Sequence, residues 1–287
     1  MSTTSFHLPA LPTTARVRTA LVKIPLATKV FLAIILLFWL ISYINGFPKW
    51  AQLAPDLVFG GGAHRLSTYP FLHLGLFHTV INVLALAPLL ERFELENGTL
   101  VTALLFSGPF SSFPGVLYTL ICKLFSIKTP VQGASIWTFL LLTSTLYRAS
   151  LTTPYISLPI PTLANSSGAP PTTPNPYRIP TALLPLIAIL VTAFIIPGTS
   201  LLGHLCGALI GYGWGAGILK FLAPPEKILR WAEEKLQLRA RLPGSYVAVD
   251  RSSGGRYGLL PTRENGNVEL GTVGGSSGGF GEGSRHE

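Results

Sequence analysis

Charge is scarce in this sequence. Only 11% of its 287 residues are Asp, Glu, Lys or Arg, against roughly 25% in an ordinary soluble domain. With 48% apolar residues and a mean hydropathy of +0.48, the composition excludes water as the main solvent of the chain. Cysteine is nearly missing as well. Cys122 and Cys206 stand alone in apolar sequence with neither CxxC nor zinc-ligand spacing, so buried free thiols are expected, with no disulfide framework, metal or cofactor. The net charge of +9 comes without a dense basic patch interleaved with aromatics, which argues against nucleic acid as a partner. Polar, Pro-containing sequence precedes the first apolar run, unlike a cleaved signal. Internal repeats and ionisable groups at mid-span, the marks of a transporter, are missing too.

What is present is a series of apolar runs. A membrane span needs about 20 mostly apolar residues, which predicts an all-α, polytopic bundle of six transmembrane helices at about 27–45, 70–90, 100–121, 133–149, 181–197 and 200–222, the fifth interrupted by Pro185. Arg16, Arg18, Lys23, Lys29, Arg92, Arg148, Arg178, Lys220 and Lys227 are among the basic residues on the side of the termini, against Lys49, Arg65, Lys123 and Lys128 opposite. The positive-inside rule therefore predicts both termini in the cytosol. The expected organisation is a cytosolic segment at 1–26 and a six-span core at 27–222 that contains a structureless, Pro-rich cytosolic loop at 150–180. An interfacial amphipathic helix at 223–242 and a disordered Gly- and Ser-rich cytosolic tail at 243–287 follow. The acceptor sequons at Asn97 and Asn165 fall on the cytosolic side in this topology and are expected to carry no glycan.

Polar side chains inside spans are costly and point to function. The second span opens HLGLFHTVIN, which brings His73, His78 and Asn82 near its extracytosolic end, with His78 and Asn82 one turn apart on one face. The fourth opens QGASIW, which puts Gly133 and Ser135 at a helix start, where free backbone N–H groups favour a developing anion. The sixth reads TSLLGHLCGALIGYGWG, with Gly203, Gly207, Gly211 and Gly215 every four residues beside His204, a surface smooth enough for close helix approach. A lone serine at a helix start is usually a cap, and polar residues in bundles often serve as interhelical glue. Four such groups in one layer point instead to an activated nucleophile, Ser135, with His204 as its base and His78 and Asn82 as oxyanion donors.

These motifs resemble the rhomboid intramembrane serine proteases over roughly residues 27–222: His73, His78 and Asn82 in the second span, Gly133 and Ser135 in the fourth, and His204 followed by Gly207 and Gly211 in the sixth. The resemblance implies a Ser135–His204 dyad, an oxyanion hole of His78, Asn82 and the Ser135 backbone N–H, and cleavage of transmembrane protein substrates near the extracytosolic face of the lipid bilayer. The long fourth loop and Gly-rich tail look most like the fungal Golgi-located rhomboid-type proteases, which implies Golgi or endoplasmic reticulum membrane. Phe280 and the glycines after it resemble a short motif by which some rhomboids recruit a cytosolic AAA unfoldase. Ile136 departs from the Gly or Ala usual after the nucleophile, and such a branched side chain is expected to crowd the cleft or the contact between the fourth and sixth helices. It is the best support for a rival reading, an inactive rhomboid-like protein that binds membrane clients. Trp50 and Arg65 lie in the first extracytosolic loop without a clear family motif and are assigned no role.

Overall fold

The computed structural model describes residues 23–158, 177–196 and 198–252. Regular structure among them is mostly helical: α1 (Leu26–Ile41), short α2 (Phe47–Ala51) and α3 (Arg65–Thr68), α4 (Leu76–Asn97), α5 (Thr99–Ser107), α6 (Pro109–Leu124), α7 (Ser135–Ser150), α8 (Leu184–Ile195), α9 (Leu201–Gly215), α10 (Glu226–Lys235) and α11 (Leu238–Arg241). By length and composition, α4 and the continuous run Thr99–Leu124 can each cross a membrane, and α9 with the helical stretch Lys220–Lys235 makes a third candidate bent by 89°. Helices α1, α7, α8 and α9 have 16, 16, 12 and 15 residues, short of the usual span when taken singly. The outward faces of α1, α8 and α9 are nonetheless apolar: Leu37, Leu40, Leu190, Phe194 and Leu209 are all more than half exposed, a pattern that belongs to helices bathed in lipid.

Aromatic packing binds the bundle. Trp137, two residues after Ser135, is fully buried, with the rings of Phe31, Phe71 and Phe106 at 5.7, 5.0 and 5.4 Å. This one side chain locks the first turn of α7 against α1, α5 and the segment before α4, at geometries that favour edge-on ring contact. Glu94, fully buried near the end of α4, accepts from the Ala27 and Thr28 amides at 2.8 and 2.7 Å and from the Thr28 and Thr99 hydroxyls at 2.8 and 2.6 Å. Helix α1 starts after Pro25 with no side-chain cap and no acid in its first turn, so Glu94 supplies from another helix the acceptor that its orphan amides need.

Several boundaries differ from the sequence reading. Helix α4 begins at Leu76 rather than 70, because Gly75 adopts φ +84° and breaks the backbone there, so His73 lies in the preceding turn. Pro185 starts α8 instead of interrupting it, after a 3-10 turn at Thr181–Leu183, since the first helical turn needs no amide from proline. The loop expected to be structureless from 150 to 180 is paired at its base: β1 (Tyr155–Leu158) runs antiparallel to β2 (Tyr177–Pro180), with Leu158 opposite Tyr177. Residues 159–176, with the Asn165 sequon, lie outside the described residues. The surface helix expected over 223–242 is two helices divided at Gln237, which has φ +50°.

The tail boundary at 243 also moves. Residues 243–252 form a strap docked on the bundle, with Tyr246, Ala248 and Val249 buried. The Ser245 carbonyl accepts from the Leu26 amide at 2.9 Å, and Val247 exchanges hydrogen bonds with Thr99 at 2.9 Å each way. Hydrogen bonds from the Tyr246 hydroxyl and the Val249 amide to Glu233 add to these contacts. Phe280 and the rest of the tail from residue 253 lie outside the described residues.

Candidate active site

The N-terminal ends of α4, α7 and α9 converge, with His78, Ser135 and His204 in their first turns. The turn before α7 is built around Gly133, at φ +112°, where an added Cβ would sit 3.1 Å from Cε1 of His78. Both the backbone angle and the space demand glycine. The Gly133 amide donates to the Tyr69 carbonyl at 2.9 Å, and the Ala134 amide donates to Nε2 of His73 at 3.1 Å. Nδ1 of His73 lies 3.0 Å from the Phe71 carbonyl, which can only accept. His73 is therefore neutral with its proton on Nδ1 and a bare Nε2, the tautomer that fits both contacts. It holds the turn that carries Ser135, a role its motif position alone did not disclose. The Ser135 amide follows at the first helical position, where no acceptor exists in its own helix.

Helix α9 is capped by Ser200, whose Oγ accepts from the Gly203 amide at 3.1 Å. That cap sets the register that brings Nε2 of His204 to 3.0 Å from Oγ of Ser135. The His204 ring is 3% exposed, stands 4.5 Å from the Phe139 ring, and its buried Nδ1 has no hydrogen-bond partner among the described residues. Among the described residues, packing rather than a polar partner on Nδ1 orients this imidazole. For Nε2 to take the Ser135 proton, Nδ1 must carry the other one.

Along the glycine stripe α9 lies close against α7. A Cβ at Gly207 would lie 2.4 Å from the Ile136 carbonyl oxygen, one at Gly211 2.3 Å from the Leu140 oxygen, and one at Gly215 2.9 Å from the Ser144 oxygen. Each step of four along α9 meets a step of four along α7, so the two backbones touch and the Ser135 and His204 side chains can meet. Ile136 lies in this seam, 2% exposed, with its Cγ1 3.0 Å from where a Gly207 Cβ would be.

His78 is half-buried, its ring 5.2 Å from that of His73. With Ser135 and His204 it lines a cavity of 520 Å³, whose wall includes Gln132 and Ser200. Asn82 is 5% exposed, and its Nδ2 donates to the His78 carbonyl at 2.9 Å, which leaves one amide hydrogen for another acceptor. It borders a second cleft of 230 Å³ between α4, α7 and α8, where Phe139, Thr192 and His204 also lie. Among the described residues no three His, Cys, Asp or Glu side chains come together to hold a metal ion.

Arg65, assigned no role from sequence, is 8% exposed and donates from Nη1 to the Lys49 and Gln52 carbonyls at 2.6 and 2.8 Å. Leu53, next to Gln52, pairs with Val131 through two backbone hydrogen bonds of 3.0 Å, so Arg65 fixes the first loop beside the cavity. Its acceptors are backbone carbonyls, which leave no mark in sequence. Ser200 had one: a serine directly before an apolar helical run reads as an N-cap.

A rhomboid-domain family profile matches residues 60–221, which hold His73, His78, Asn82, Ser135 and His204. Rhomboid-type serine protease B of Aspergillus fumigatus is 46% identical over 259 residues, 89% of each chain. Rhomboid-type serine protease 2 of Neurospora crassa is 43% identical over 255 residues, 87% of this chain and 86% of the relative, and its Saccharomyces cerevisiae namesake is 32% identical over 206 residues, 71% and 73%. The chain belongs to the rhomboid family of serine proteases.

Proposed function

We propose that this protease is an intramembrane endopeptidase in which Ser135 and His204 form a two-residue catalytic dyad. The observation that carries the reading is the 3.0 Å contact between Nε2 of His204 and Oγ of Ser135 at the mouth of a cavity between helix ends. Oγ attacks the scissile carbonyl carbon as its proton passes to Nε2. The imidazolium then protonates the leaving nitrogen, and water, deprotonated by the same Nε2, releases the acyl group from Ser135. The oxyanion is held by the Ser135 amide, the free amide hydrogen of Asn82 and the imidazole of His78. With Ile136 tucked against Gly207, and Oγ still in contact with the imidazole, the protease is favoured over an inactive client-binding protein.

In this reading α1, α4, α5 with α6, α7, α8 and α9 are six spans and the dyad opens toward the extracytosolic face. The shared end of the Leu26 amide, Glu94 and Ser245 supports both termini on one side, taken as cytosolic, in Golgi or endoplasmic reticulum membrane. Recruitment of a cytosolic AAA unfoldase through Phe280 belongs to the same proposal; equal unfoldase recovery with and without residues 276–287 in a pull-down would sink it. For proteolysis the test is reconstitution with single-span substrates and mass mapping of the fragments. We expect a cut near the extracytosolic end that Ser135→Ala abolishes; fragments that persist in Ser135→Ala would overturn the dyad.

A further inference from the structure

Beyond the site, the segment that follows α9 has two faces of opposite chemistry. Helix α10 is pinned to the body by Leu229 and by Glu233, both buried; Glu233 accepts from the Tyr246 hydroxyl at 2.7 Å and the Val249 amide at 2.9 Å. Pinned in this way, it cannot roll. One outward side carries Glu226, Arg230 and Glu234. There Arg230 pairs with Glu226 at 2.5 Å and with Asp250, and Asp250 also takes Arg239. The other outward side carries Lys227, Trp231 and Lys235 in line at four-residue spacing, with Ile228 beside them. Trp231 is 64% and Ile228 54% exposed, and Ile218 and Phe221, in the turn that leads from α9, are 71% and 74% exposed. Neither Lys227 nor Lys235 has an acidic partner among the described residues, whereas the arginines of the first side are neutralised by theirs.

From this segregation we infer that the Lys227–Trp231–Lys235 face of α10 is a docking surface for anionic phospholipid headgroups of the leaflet from which α9 emerges. The partner is fixed by three features: an aromatic and an aliphatic side chain that suit the acyl boundary, two ammonium groups without an acidic partner among the described residues that flank them, and continuity through Ile218 and Phe221 with a helix that enters the bilayer. The acids Glu226 and Glu234 lie on the adjoining stripe, where Arg230 takes Glu226, and none stands between Lys227, Trp231 and Lys235 in their line. The inference rests on the membrane-spanning reading of α9.

The test uses the full chain in vesicles of phosphatidylcholine, with or without about 30% phosphatidylserine to give the negative potential of a cytosolic leaflet. An environment-sensitive fluorophore is attached at Ile228→Cys or, as the control on the acidic stripe, at Glu234→Cys; Cys122 and Cys206 are buried and stay unlabelled. We expect a blue shift and quenching by brominated lipid at position 228 alone, stronger with phosphatidylserine. In Ile228→Cys with Lys227→Gln and Lys235→Gln, the equilibrium with the anionic surface should weaken about thirty-fold, from the contribution of a basic residue near such a surface. Carbonate extraction, read on the same vesicles, separates the failures. A chain that carbonate removes would overturn the spanning reading itself. A chain that stays embedded, with position 228 as aqueous as 234 or unresponsive to phosphatidylserine, would overturn the lipid site and leave the face to a protein partner.

Discussion

Replacing Glu94 tests whether α1 is held by a cap borrowed from another helix. The carboxyl is fully buried and accepts four hydrogen bonds, two on each oxygen, from the Ala27 and Thr28 amides and the Thr28 and Thr99 hydroxyls. Glu94→Ala strands two amides in the first turn of α1, where Ala27 and Thr28 are themselves buried. Each stranded donor costs about 1–3 kcal/mol, so a loss of about 2–6 kcal/mol is expected for the two amides. Glu94→Gln is not a gentle change here: its amide nitrogen turns a donor toward donors on one side, and about 2–3 kcal/mol should be lost. Arg92→Ala, which breaks a surface pair with Glu96 by an arginine 62% exposed, should stay within about 0.5 kcal/mol of wild type. Denaturant titration in mixed micelles measures all three, and hydrogen exchange at residues 26–28 should accelerate in Glu94→Ala, less in Glu94→Gln, and not in Arg92→Ala. A Glu94→Ala protein within about 1 kcal/mol of wild type would refute the borrowed cap.

Other expectations follow from the same geometry. Gly211→Ala must push its Cβ off the Leu140 carbonyl, so it should lose about 1–3 kcal/mol of stability together with proteolysis, whereas Gly60→Ala, whose Cβ would meet nothing closer than 3.9 Å, should lose little; equal unfolding midpoints would contradict the seam. His73→Ala frees the Ala134 amide and should lower kcat about a hundredfold with KM little changed, and wild-type kcat would remove its positioning role. The Arg239 guanidinium holds the Asp250 carboxyl below its ordinary value, so its contribution to docking the strap is present above the unfolded pKa and is lost only as pH falls through the lower folded one. Hydrogen exchange over residues 243–252, corrected for intrinsic rates, should therefore stay slow in mild acid; release that starts near neutrality would contradict it.

The parts of the site that were legible in the sequence are those whose chemistry sits in the side chain itself. Ser135 and His204 stood out because polar groups inside apolar runs have few uses, and the glycines because their spacing matches the helical repeat. What escaped were contacts made to backbone. Arg65 grips two carbonyls, Glu94 takes two amides, and His73 accepts one; any residue can supply those partners, so no pattern marks them. The strap at 243–252 was hidden by its own composition: few apolar residues in a Gly- and Ser-rich tail read as disorder, yet Tyr246, Ala248 and Val249 are the ones buried. The start of α4 was misplaced because hydropathy is continuous through Gly75, and only its positive φ ends the turn that holds His73.

The central claim, that His204 activates Ser135 without a third polar residue, is tested most directly by a fluorophosphonate probe on the detergent-solubilised protein. Wild type should label at Ser135, with labelling abolished in Ser135→Ala and in His204→Ala. Labelling that survives His204→Ala, or a wild type that stays unlabelled while an active rhomboid labels in the same detergent, would contradict it.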